Sequence, residues 1–275
     1  MKIIKNEINI GIEKPFTFLH MSDTHLCLAD DRDNERKNKL AAGRTVIFPQ
    51  AEENLEFAIR YATDNGYMIA HTGDLIDFVS CANLDAAERF TDATDCFMAA
   101  GNHEFSQYVG EAVEDAAYRN QSLDRVQASF KNDIRFCCRE VNGINLVAID
   151  NSYYLFEREQ LDALKAVAEQ GKPILLFMHT PLYTKELHES LVKLGAKVFS
   201  MMSVPEELMS DYPQSRYKQQ KEDAVTAEAF EYIKAQSLIK GLLVGHLHFD
   251  HECTFGSGIP QLMTGCNTLR EITVK

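Results

Sequence analysis

Five short apolar runs in this chain each end in residues of the kinds that bind metal ions, and that repetition constrains the fold more than any other feature. Residues 15–21 lead to Ser22-Asp23-Thr24-His25, 67–72 to Gly73-Asp74, and 95–100 to Gly101-Asn102-His103-Glu104. Residues 173–178 lead to His179, and 238–244 to Gly245-His246-Leu247-His248. Each run has the length and apolar content of a buried strand. Where crossover helices join the strands of a sheet, neighbouring strand ends open onto one crevice, so residues remote in sequence meet there. What meets is two Asp, one Asn and up to five His with no Cys, a donor set suited to a pair of divalent transition ions.

The segments between the runs supply the crossovers. Leu55, Ala58, Ile59 and Ala62 recur at helical spacing before the second run, and a helix over 158–170 closes at Gly171, with Pro173 opening the next strand. Residues 107–130 read as helical, 84–94 as mixed, and 3–12 as an extended lead-in. Residues 134–141 and 144–150 flank Asn142-Gly143, the pair favoured in a two-residue hairpin turn. Two more strands are expected after the last His pair. No repeat or Pro/Gly-rich linker splits the 275 residues, so one domain over 1–275 is expected. Two charge-dense segments, 29–49 and 187–225, follow ligand-bearing strand ends. Each of their charges, taken singly, reads as solvated surface, but long loops at a site mouth also form lids or specificity walls.

Charge and cysteine usage narrow the classes of function. A net charge of −13 repels a phosphate backbone at long range, so sequence-independent nucleic-acid binding is not expected. Seven scattered Cys without a C-x-x-C pair argue against a disulfide framework or a zinc ribbon, and no apolar stretch reaches the length of a membrane span. A cytoplasmic location is the expectation; oligomeric state is not legible. No Walker or dinucleotide fingerprint is present.

Asp23 and His25 stand two residues apart, as do His246 and His248; in an extended chain such pairs point to one side and can reach one ion. The spacing leaves open whether His246 and His248 share an ion. Asp74, after the turn-forming Gly73, has two oxygens with which to bridge, and Asn102 offers an amide oxygen without added charge. Taken together, D-x-H, G-D-x-x-D, G-N-H-E, H and G-H-x-H, in order from Asp23 to His248, resemble the calcineurin-like metallophosphoesterase superfamily. The resemblance implies an α/β fold, a four-layer sandwich of two mixed β-sheets flanked by helices. It implies one metal on Asp23, His25, Asp74 and His248, and a second on Asp74, Asn102, His179 and His246, the ions being manganese, iron or zinc. His103 is then the general acid and Asp77 its orienting partner. The implied reaction is hydrolysis of a small phosphate ester, expected to be a phosphodiester, by water activated between the ions. Alternatives are a phosphomonoesterase or a non-catalytic interaction module on the same fold.

Departures from family patterns refine this. Phosphoprotein phosphatases of the superfamily place Arg where this chain has Phe78 and Ala100, and purple acid phosphatases place Tyr where it has Asp77. A protein phosphatase of the first type is disfavoured, and a tyrosinate-iron colour is not expected. His20, His71, His188 and His251 lie outside the blocks and read as structural or surface residues, the best exception being His251, which stands three residues beyond His248, within reach of a pocket. Cys27 reads as a buried thiol.

Overall fold

The computed structural model describes residues 1–110 and 114–275. Its strands are β1 (Lys2–Ile8), β2 (Phe16–Met21), β3 (Ile69–His71), β4 (Cys96–Met98), β5 (Phe136–Val141), β6 (Ile144–Ile149), β7 (Ile174–Phe177), β8 (Ile239–Val244), β9 (His251–Phe255), β10 (Ile259–Met263) and β11 (Thr268–Val274). The helices are α1 (Glu35–Thr45), α2 (Ala51–Asn65), α3 (Cys81–Ala93), α4 (Ala116–Asn120), α5 (Leu123–Gln127), α6 (Arg158–Ala168), α7 (Lys185–Lys193), α8 (Gln214–Gln220) and α9 (Ala224–Ala235).

The strands form two sheets, in the orders β1-β11-β2-β3-β4 and β5-β6-β7-β8-β10-β9. Both are mixed: β2, β3 and β4 run parallel while β11 pairs antiparallel with β2, and β6, β7, β8 and β10 run parallel between antiparallel β5 and β9. Phe18, Ala70 and Phe97 of the first sheet pack against Leu146, Leu175, Phe177 and Leu243 of the second, forming the layer between sheets. The outer face of the first sheet is covered by Leu55 and Ala58 of α2 and Leu84 and Phe90 of α3. Leu161 and Leu164 of α6, Leu187 of α7 and Ile233 of α9 cover the second. The four layers predicted by the resemblance are therefore present. Parallel strands buried on both faces explain why the five runs read as unbroken apolar stretches rather than alternating ones.

Several local readings change. The lead-in is a strand only to Ile8, and three strands rather than two follow the last His pair. The mixed segment is helical over 84–93, within α3, which Ser80 caps by accepting the Asn83 N–H on its hydroxyl and which ends at Thr94. Its buried face carries Asn83 and Thr91 beside Leu84, Ala87 and Phe90, which blurs the apolar period. Instead of one helix, 107–130 contains α4 and α5, while 111–113 lie outside the described residues. The Asn-Gly hairpin forms as expected, with Asn142 and Gly143 at φ 48° and 85°.

Candidate metal centre

The C-terminal ends of β2, β3 and β4 in one sheet and of β7 and β8 in the other deliver the five blocks to one place. The residues arrive by a route different from the extended chain expected at Asp23-Thr24-His25. Asp23, His25, Asp74, His246 and His248 all have left-handed backbones, with φ of 54°, 52°, 57°, 72° and 61°. The reason is that the chain leaves each strand and coils at once. Asp23 and His25 donate backbone N–H groups to the carbonyls of Gly73 and Asp74 at 3.0 and 2.8 Å, binding the two loops together. Such conformations cost about 1–3 kcal/mol each in a non-glycine residue and persist where surrounding contacts hold them. Glycine is required where loops cross: a Cβ on Gly245 would lie 1.8 Å from Ser22 Oγ, and one on Gly73 2.4 Å from the Gly101 nitrogen.

Among the described residues, ligand atoms of Asp23, His25, Asp74 and His248 lie within 4.8 Å of one another, as do those of Asp74, His179 and His246. Asp74 belongs to both groups. His25 Nε2 is 3.0 Å from His248 Nε2, and His179 Nε2 is 3.0 Å from His246 Nδ1. Asp74 Oδ2 lies 3.2 Å from His179 Nε2, and Asp23 Oδ1 3.4 Å from His248 Nε2. The side chain of Asn102 donates Nδ2–H to Glu114 at 3.4 Å, while its Oδ1 is buried with no hydrogen-bond partner. An orphaned buried acceptor, imidazole nitrogens brought face to face and two buried carboxylates together fit bound cations.

Each of three imidazoles has one nitrogen tied away from the centre. His25 Nδ1 bonds Asp77 Oδ1 at 2.8 Å, His179 Nδ1 donates to the Thr72 carbonyl at 2.7 Å, and His246 Nε2 bonds the Tyr154 hydroxyl at 2.8 Å. Such outer partners fix which nitrogen faces a metal. The electrostatics ask for positive charge. Burial opposes a proton on His179, but Asp74 and Asp23 outweigh it and raise the ring to about 9. Burial, helped by the charge of His179, pushes His246 down to about 3. Burial likewise opposes ionisation of Asp74, and His179 and His103 still hold it well below the usual carboxylate range.

His103 sits at the rim. Its Nδ1 bonds the Asp77 carbonyl oxygen at 2.8 Å and lies 3.2 Å from Asp77 Oδ1, so the ring meets Asp77 through Nδ1. Asp74 and Asp77 overcome burial and raise His103 to about 9. Behind the centre, the fully buried Glu104 accepts N–H groups from Asp74, Leu75 and Gly101, each at 2.7 Å, pinning the Gly73-Asp74 turn to the Gly101 loop.

All nine residues singled out in the sequence thus meet at one end of the two sheets. Those outside the blocks fall as expected where the structure speaks: His20 bonds Thr72 and Thr264, His71 bonds Thr24, and Cys27 is buried with its thiol pushed up by burial. His251 lies on β9, paired with Met263 in the second sheet. Sequence reading missed Arg44, whose guanidinium bonds Asp77, and Phe48, which stacks on the His25 ring at 4.2 Å. It missed Glu114 and Tyr154 too. Tyr154 carries no local signal, whereas Arg44 was visible as one charge among many in 29–49. That segment is pinned, with Asn34 bonded to Tyr108 at 2.9 Å and Asp33 accepting the Cys81 N–H at 3.0 Å.

A family model described as calcineurin-like phosphoesterase matches residues 16–250. No match was found among curated protein sequences. Among solved structures, the chain is similar to a dimetal phosphatase from Danio rerio, at 14% identity and a TM-score of 0.50, over 91% of this chain and 88% of that one. It is also similar to the phosphopantetheinyl hydrolase of Mycobacterium tuberculosis, at 10% identity and a TM-score of 0.44, over 95% and 90% of the two chains. A third likeness is to a 5'-nucleotidase from Candida albicans, at 14% identity and a TM-score of 0.40, over 91% and 46%. At these identities the first likeness bears on the fold, which it shares.

Proposed function

The chain belongs to the calcineurin-like phosphoesterase family, hydrolases of phosphate esters, and from that premise we propose that it cleaves a small phosphodiester at a centre of two divalent transition ions. Asp23, His25, Asp74 and His248 hold one ion in this reading, and Asp74, Asn102, His179 and His246 the other. The observation that carries it is Asp74's membership of both ligand groups, next to a loop whose Asn102 Oδ1 is buried without a partner. Manganese, iron and zinc all suit such ligands. When bound, the ions supply positive charge that holds a phosphoryl oxygen and makes water more acidic.

The remaining work falls to the chain. His103, protonated, gives the Nε2 proton to the leaving oxygen, and Asp77 holds Nδ1 so that the ring presents Nε2 outward. Glu104 keeps the Asp74 turn in register with the Gly101 loop. A diester is favoured because Phe78 and Ala100, where monoester-gripping relatives carry Arg, are both wholly buried and apolar. The pinned segment 29–49 and the stretch 187–225 form the walls that select the ester's other groups.

The test compares hydrolysis of an activated aryl phosphodiester with its monoester by manganese-loaded protein. Faster diester turnover, abolished together with metal binding in Asp74→Asn, is expected. His103→Gln is expected to retain metal and lose about 10²–10⁴-fold in turnover, the usual contribution of a general acid. Preference for the monoester would refute the diester assignment, and an unchanged His103→Gln rate would refute the acid.

A further inference from the structure

Asp77 is asked to do more than orient one histidine. Its Oδ1 accepts from His25 Nδ1 at 2.8 Å and lies 3.2 Å from His103 Nδ1, so one oxygen serves a ligand of the centre and the proton donor together. A carboxylate held only through that oxygen could turn about its Cβ–Cγ bond, releasing the His25 ring and leaving His103 only its bond to the Asp77 carbonyl. Arg44 prevents this. Its Nε donates to Asp77 Oδ2 at 2.6 Å and its Nη2 to Oδ1 at 2.8 Å, a two-point grip that fixes the carboxylate plane. Asp77 is fully buried and the Arg44 side chain only 20% exposed, so water competes little for either.

The grip is built into α1, which cannot drift. Asn34 caps the helix, Lys37 reaches the Val79 carbonyl, and Thr45 Oγ1 reaches the Cys27 carbonyl at 3.5 Å. One turn beyond Arg44, Phe48 lies nearly flat on the His25 ring, 11° from parallel, with the Arg44 guanidinium 5.1 Å from the Phe48 centroid. The end of α1 and the turn after it thus clamp His25 on its face through Phe48 and, through Arg44 and Asp77, at its Nδ1.

Resting on the phosphoesterase reading, we propose that Arg44 is a positioning residue for the reaction: by locking the Asp77 carboxylate it aims His103 at the leaving oxygen and His25 at its ion. Arg44 acts behind both rings and need not touch substrate. Its loss therefore lowers kcat by about 10–100-fold, the range for outer partners of such centres, with KM little changed. Because the proton donor is misaimed, esters with poor leaving groups suffer more than a nitrophenyl ester.

The experiment measures kcat and KM for a series of aryl phosphodiesters of graded leaving group with manganese-loaded wild type, Arg44→Ala and Arg44→Lys. Proton NMR of the downfield imidazole N–H signals of His25 and His103, on the same proteins loaded with diamagnetic zinc, accompanies it, with and without added guanidinium. The expected result is a leaving-group-dependent loss of kcat in Arg44→Ala, exchange-broadened signals, and partial recovery of both by guanidinium. Arg44→Lys restores the charge without the two-point contact and recovers less than the wild-type rate. Unchanged signals, or a loss uniform across leaving groups with no guanidinium recovery, would overturn the proposal. Absence of hydrolysis by the wild type would count against the phosphoesterase reading, while the imidazole signals still decide the place of Arg44.

Discussion

Gly101→Ala probes the centre without replacing a ligand. A Cβ on Gly101 would stand 2.3 Å from Asp74 Oδ1, 2.5 Å from the Asp74 nitrogen and 2.9 Å from its Cγ, where real Cβ contacts essentially never fall below 3.0 Å. Asp74 has nowhere to retreat. Its N–H is bonded to Glu104 Oε2 at 2.7 Å, its Oδ1 accepts the His103 N–H at 2.8 Å, and its backbone is left-handed. The strand-end loops must therefore part, an overpacking cost of about 1–3 kcal/mol. The carboxylate shared by both ligand groups moves with them, and a displacement approaching 1 Å costs roughly 10²-fold in rate. Urea unfolding of the metal-free protein, metal content by emission spectroscopy and diester hydrolysis read these three effects. Gly43→Ala is the control: in α1, with nothing within 4 Å of its added Cβ, it is expected to stabilise by about 0.5–1 kcal/mol and leave metal content intact. A Gly101→Ala protein with wild-type stability, metal and turnover would refute the steric reasoning.

Tyr154→Phe removes the hydroxyl that holds His246 Nε2. Retention of one of the two proposed ions is expected to weaken by about 10–100-fold, measured by chelator competition, with the fold unchanged by circular dichroism; equal retention would show that His246 needs no such partner. The seven thiols should also separate by environment. Cys138 is exposed on β5, whereas Cys96 is buried and its thiol pushed up to about 12, chiefly by burial. Thiolate is the reactive form, so iodoacetamide followed by mass spectrometry should mark Cys138 first and Cys96 only on unfolding. Equal rates for the two would contradict the burial of β4.

The strands that carry the site and the residues at their ends are legible in the sequence alone, because both signals are local. A buried parallel strand writes itself as an apolar run, the turn that follows as Gly-Asp or Gly-Asn-His, and the β5–β6 hairpin as Asn142-Gly143. Helix α3 was harder to see because Asn83 and Thr91 face inward, where Asn83 bonds the Leu28 nitrogen at 2.8 Å and the Phe78 carbonyl at 2.8 Å. How those ends are held emerges only when the chain is folded. The Asp77–Arg44, His246–Tyr154 and Asn102–Glu114 contacts each join side chains from separate segments, and no periodicity or spacing encodes such a meeting. The same holds for the left-handed turns at Asp23, His25, Asp74, His246 and His248, which propensity disfavours and which persist because strand ends from two sheets crowd one crevice and their crossing hydrogen bonds hold the loops coiled.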